Sequence, residues 1–322
     1  SWSDNIIGSF VKRNLGIIIV LMVLMITLSL VSDVFLTSQN LITVLKQISH
    51  NMCLALGMTL IIILGGIDLS VGALVAMTGT LCAGFIVLQD MPIWLAICVT
   101  MLLGIFCGLF NGTIVAVFKL PAFIVTLVMM NIARGVAYIY CGGKTVRVMD
   151  ESFVRIGNTT IGSIPIPVIY MVIFVLIFAF LLNKTKFGTY IYAIGGNRES
   201  ARLSGVPIKK IEIAVFAIAG FMSAFAGIVL SARMYSGQPS VGDGHELNAI
   251  AACVLGGVSM SGGVGTIGGT VLGVMVIGII NNGLNLLNVS SYWQLVAKGI
   301  IILAACLLYT SPSPRDTERS RM

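Results

Sequence analysis

The 322-residue chain is 57% hydrophobic and only 10% charged, with a mean hydropathy of +1.04. A soluble domain carries about 25% charged residues, so this composition excludes a water-soluble globular fold and makes the bilayer the solvent for most of the surface. The formal net charge of +7 fits basic loops held at a cytoplasmic face and is not read as a nucleic-acid footprint.

A helix needs about 20 mainly apolar residues to cross the hydrocarbon layer. Lys12 and Arg13 precede the apolar run 16–34, which no small-residue cleavage site follows, so the N-terminus is expected to remain as a cytoplasmic flank. Residues 41–51 set Thr43, Lys46, Gln47 and His50 on one helical stripe, and only then does 52–64 turn apolar. Such a stripe faces water, a path or another helix, or else the segment lies flat at the interface. Both readings stand. Runs at 71–88, 92–118, 123–140, 168–182, 213–230, 247–255, 271–287 and 292–308 follow. The expectation is an all-α polytopic membrane protein of about ten segments, some short or broken, with its N-terminus cytoplasmic.

Charge supports that orientation. The segment 183–211 holds Lys184, Lys186, Arg198, Arg202, Lys209 and Lys210, and Lys119 falls on the same side, as the positive-inside rule requires of a cytoplasmic face. The opposite loop, 141–167, is broken by glycines and prolines that forbid a long helix and leave room for β-type pieces near 159–164. Residues 1–309 read as a single transmembrane domain. Thr310–Met322 reads as a disordered tail or a sequence artefact and carries no functional argument.

Several motifs carry chemistry or packing. In Gly65-Gly-Ile-Asp-Leu-Ser-Val-Gly-Ala73 the glycines end one helix, and Asp68 or Ser70 is placed to cap the next. Asn111 stands inside an apolar helix and needs a partner there. Arg134 and Lys298 are cations within apolar runs, each costing about 2.5–3.5 kcal/mol on insertion scales, unless they snorkel. Asp243, His245, Glu246 and Asn248 gather at the expected outer mouth of a helix, in a spacing that matches no metal pattern and suits capping. The seven scattered cysteines form no C-x-x-C pair. The glycine-rich stretch 256–269 lacks the Lys-Ser/Thr end of a phosphate loop. No metal, no cofactor and no paired nucleophile and base are expected, so the chain is not read as an enzyme.

Taken in order, Gly65–Ala73, Leu120-Pro-Ala-Phe-Ile-Val-Thr-Leu127, Thr185-Lys-Phe-Gly-Thr-Tyr190, 193–206, 246–252 and 256–269 resemble the ribose-type, monosaccharide branch of ATP-binding cassette importer permeases. The branched-chain amino acid branch shares the fold but fits less well. The resemblance implies a multi-pass bacterial inner-membrane permease subunit that forms the path for a sugar, ribose first. It also implies two cytoplasmic ATPase subunits that hydrolyse the ATP, a periplasmic or lipid-anchored sugar-binding protein, and a second permease copy, all within membrane lipid. The ATPase-coupling segment would be Gly195, Gly196, Asn197, Arg198, Glu199, Ser200, Ala201, Arg202, Leu203, Ser204 and Gly205. An ion-coupled secondary transporter is the alternative, and would need embedded carboxylates. A permease fed by a binding protein is expected to hold its sugar weakly, with no deep charged cluster. Path candidates are then Thr43, Gln47, Asn111, Thr126 and Asn131 beside Phe123, groups that serve equally well as bonds between helices.

Overall fold

In the computed structural model, residues 2–290, 292–297, 299–300 and 303 are described. The expected tail, Lys298, Cys306 and the rest of 301–308 apart from residue 303 lie outside them. The helices are α1 Trp2–Val31, α2 Ser38–Ile63, α3 Val71–Val87, α4 Ile93–Phe118, α5 Ala122–Cys141, α6 Glu151–Asn158, α7 Ile166–Lys184, α8 Lys186–Gly196, α9 Arg198–Leu203, α10 Ile208–Arg233, α11 His245–Leu255 and α12 Ile267–Leu286. Residues 292–297, 299–300 and 303 are also helical, and there are four two-residue strands: β1 Val146–Arg147 pairs antiparallel with β4 Ser236–Gly237, and β2 Thr160–Ile161 with β3 Ile164–Pro165.

Among the described residues six helices, in α1, α4, α5, α7, α10 and α12, are long and apolar enough to cross a membrane. The protein is a polytopic helical membrane protein. In α2 the polar stripe dilutes the apolar run, although its 26 residues are ample for a crossing at about 1.5 Å each. Helix α2 is continuous, which removes the reading of residues 41–51 as a separate surface helix. Its stripe splits: His50 is buried, Lys46 and Gln47 are half-buried, and Thr43 is exposed.

Helix α10 is the hub, packed on α4, α3 and α2. Lipid offers no hydrophobic drive between helices, so contact there rests on close packing of small residues. Gly104, Gly108 and Gly112 recur every four residues and share one face of α4. A Cβ on Gly104 would come within 2.7 Å of Gly220 O, one on Gly112 within 2.8 Å of Ile213 Cα, and one on Gly108 would collide with Phe216 O. Amide and hydroxyl pairs tie the other helices. Asn40 and Asn282 exchange two hydrogen bonds (3.1 and 2.8 Å) between α2 and α12. Thr59 Oγ1 sits 2.8 Å from Thr270 Oγ1 and 3.3 Å from Cys253 Sγ, joining α2, α12 and α11.

Four of the cysteines, Cys53, Cys82, Cys107 and Cys253, are buried. Cys98 is exposed and Cys141 half-buried.

Candidate functional site

Three neighbourhoods carry the polar residues singled out above. The first is the loop between α2 and α3. Gly65, at φ +86°, closes α2 by donating to Ile62 O, and Gly66 N–H reaches Ile61 O. Asp68 and Ser70 are fully buried. Neither caps α3 as expected: Asp68 Oδ1 accepts from Ser70 N–H (2.8 Å) and from its hydroxyl, and the Ser70 side chain makes no cap. Asn111 Nδ2 donates to Ser70 Oγ (3.3 Å), while Thr126 Oγ1 accepts from Leu69 N–H (3.0 Å) and donates to a carbonyl. Both side chains are wholly buried and bind the loop to α4 and α5.

The second neighbourhood lies where α11 begins. Its 11 residues are about 16 Å long, about half of what a crossing needs, and the non-helical stretch 234–244 leads into it. Non-helical backbone at membrane depth is tolerated where protein or a cavity surrounds it. Here Arg134 of α5 supplies donors, its Nη1 giving bonds of 2.7 Å to Pro239 O and Val241 O. The start of α11 is deeper than the outer mouth assigned from sequence. A Cβ on Gly227 of α10 would lie 2.6 Å from Val75 O, and one on Gly72 would collide with the Glu246 carboxylate and Gly242 O. Gly227 is six residues inside Arg233 and Gly72 three further down α3, a combined rise of about 13 Å. Glu246, in the first turn of α11, therefore sits beside the start of α3 rather than level with the Arg233 end of α10.

Around this break a cavity of about 330 Å³ is lined by Asn131, Arg134, Tyr138, Ser240, Asp243, Glu246 and Met130. The fold sets the 234–244 stretch against α5 and so brings Arg134, Asp243 and Glu246 to one cavity, a juxtaposition that linear spacing does not reveal. Behind the cavity His50 and His245 stack with ring centroids 5.2 Å apart. Among the described residues no group of three or more His, Cys, Asp or Glu is arranged to hold a metal.

The third neighbourhood is the basic segment after α7. Asn197 caps α9 by accepting from Ser200 N–H (2.8 Å), and Gly205, at φ +79°, ends it, with Val206 N–H bonded to Ala201 O. The helix turns Glu199, Arg202 and Leu203 outward and buries Ala201. Arg202 Nε donates to Glu199 at 3.0–3.1 Å, and this bonding holds the Glu199 carboxyl below its ordinary range. Arg198 pairs with the buried Glu212 of α10, one bond measuring 3.0 Å, and that bond raises the Arg198 guanidinium above its usual value. Gly195 leaves no room for a side chain: a Cβ would collide with Ile63 O and lie 2.5 Å from Gly263 N. Gly263 N–H itself donates to Ile63 O (2.8 Å), so α8, the end of α2 and the glycine-rich loop meet backbone to backbone.

Of the path candidates, Asn131 alone lines the cavity. Phe123 and Thr43 are exposed, Gln47 is half-buried, and Asn111 and Thr126 are engaged by the loop. Asp243 and Glu246 were read as caps. Their Gly-Asp-Gly setting, which suits a bent non-helical entry, was the available signal for more than that.

A bundle of apolar helices joined by small-residue seams, interrupted at depth by a polar break and bearing a basic loop helix, defines a multi-pass solute permease. The chain matches the family described as branched-chain amino acid transport system / permease component over residues 40–306 and belongs to it. It is 42% identical over 293 residues to the ribose import permease protein RbsC of Haemophilus influenzae, covering 90% of each chain. It is 43% identical over 300 residues to the RbsC of Bacillus subtilis, covering 92% of this chain and 93% of the relative. The L-arabinose transport system permease protein AraH of Escherichia coli is 42% identical over 292 residues, 91% of this chain and 89% of the relative. No solved structure matches it. The protein is a multi-pass bacterial inner-membrane permease.

Proposed function

We propose that this chain is the membrane-spanning permease subunit of an ATP-binding cassette importer that carries a monosaccharide, ribose or a close relative. The carrying observation is collinear identity with ribose import permeases along nine-tenths of both chains. In this reading residues 1–309 form one permease unit of about ten segments with a cytoplasmic N-terminus. A separate ATPase hydrolyses the nucleotide, a binding protein delivers the sugar, and a second permease copy completes the path. The chain itself takes no cofactor. The exposed edge of α9 and the backbone contact of Gly195, at the end of α8, with α2 support residues 195–205 as the ATPase contact. Exposure of Thr43, Phe123 and Asn131 supports a path along those faces, with Gln47 beside them.

Reconstitution tests this. The permease, assembled with an ATP-binding cassette ATPase and a ribose-binding protein, should accumulate labelled D-ribose in proteoliposomes with ATP present and with all ion gradients collapsed. Uptake driven by a proton or sodium gradient without the ATPase would replace this reading with the ion-coupled carrier.

A further inference from the structure

We infer that the cavity at the break before α11 is a transient binding subsite for a neutral polyhydroxylated ligand, reached midway through the permease. The inference deepens the sugar-import reading and rests on it.

Size comes first. A volume of about 330 Å³ is at the low end of ligand sites, which run about 300–1,000 Å³, and suits a single small solute. The lining decides the chemistry. Asp243 and Glu246 are acceptors, Arg134 is a donor, and Asn131, Ser240 and Tyr138 offer both capacities. A pair of adjacent hydroxyls donates to both oxygens of one carboxylate and accepts from a guanidinium or amide edge, so a polyol meets every group present. An aliphatic side chain is served less well: Met130 is the one aliphatic residue among the cavity-lining residues, so a branched-chain amino acid finds only that side chain and the Tyr138 ring for its hydrocarbon. A free anion meets two carboxylates against one guanidinium.

The groups are also fixed in place. Arg134 is held by two backbone carbonyls of the same non-helical stretch that carries Ser240 and Asp243. Glu246 lies against Gly72, the second residue of α3, where any Cβ would displace it. The mouth is open, since Asn131, Ser240 and Asp243 are exposed. An ordered but open polar site exchanges water bonds for ligand bonds with small net gain, which suits a waystation rather than a trap.

Cysteine protection tests the inference. Asn131→Cys, in a background lacking the exposed Cys98 and the half-buried Cys141, is labelled with a small maleimide in the assembled transporter, with D-ribose or L-valine as probe. With a Kd of about 1 mM, ribose at about 10 mM should slow labelling about tenfold, and L-valine should not. Ile139→Cys, on the same helix but away from the cavity, should label at one rate throughout. Ser240→Cys provides the same readout from the opposite wall if the first variant does not fold. Unchanged labelling at both wall positions in ribose, or protection by valine instead, overturns the subsite. ATP-driven ribose import by the wild-type complex is measured in parallel. Its loss would strike the sugar-import reading, whereas intact import without protection strikes the subsite alone.

Discussion

Asn111 and Thr126 show how a polar side chain in an apolar run acquires its role from what the neighbouring loop leaves unsatisfied. Thr126 takes the N–H of Leu69, a backbone donor in the loop between α2 and α3. Thr126→Ala strands that donor, and stranding a buried donor costs about 1–3 kcal/mol. The purified permease should melt at lower temperature by a corresponding amount. Thr43→Ala removes a hydroxyl that bonds Gln39 O on its own exposed helix face, and it should stay within about 0.5 kcal/mol of wild type. Equal melting temperatures for the two variants would refute the bracing role of Thr126. The sequence reading required partners for these groups without being able to say which, because loop 64–70 and the helices it touches are far apart along the chain.

At the scale of elements, the α4–α10 seam and the α9 loop make separate demands. Gly108 faces Phe216 O with no space for a Cβ, so Gly108→Leu should force the two helices apart and remove the monodisperse peak on size exclusion. Gly135, with nothing within 4 Å, is the control. Gly135→Ala should fold at least as well, since alanine is the better helix former by about 1 kcal/mol. A normal elution profile for the leucine variant would mean the seam is not closely packed. On α9, Glu199 and Arg202 bond each other at the surface and Gly205 supplies the left-handed stop. Replacing all three should leave membrane insertion intact and separate ATP hydrolysis from sugar uptake. Wild-type uptake by the triple variant would remove α9 from the coupling path. Helices α4, α5, α7, α10 and α12 were legible in sequence from the length of their apolar runs. The depth of α11 was not. Eleven residues with an extended approach have the same local composition whether they cap a surface helix or descend midway into the bundle, and only the contact of Gly72 with Glu246 distinguishes the two.

For the whole molecule the open quantity is which side each loop occupies. The geometry orders the loops relative to one another. Ser236–Gly237 pairs with Val146–Arg147, and Asn158 Nδ2 donates to Ala232 O (2.9 Å), so the 141–167 loop and the upper end of α10 share one face. The opposite end of α10 meets Arg198 through Glu212, placing the α8–α9 segment on the other face. The 26 residues of α10 rise about 39 Å, enough to separate those faces by a full bilayer. The Lys/Arg excess in 183–211 predicts that the α9 face is the cytoplasmic one. Single cysteines at Thr159 and Ser204, in a background without the native cysteines, should therefore react from opposite sides. In intact spheroplasts an impermeant maleimide should label the cysteine at 159, and the one at 204 should label only after the membrane is opened. If 204 reacts first, the orientation is inverted and the ATPase contact cannot be α9. If both react in sealed cells, α10 does not cross the bilayer as a single span.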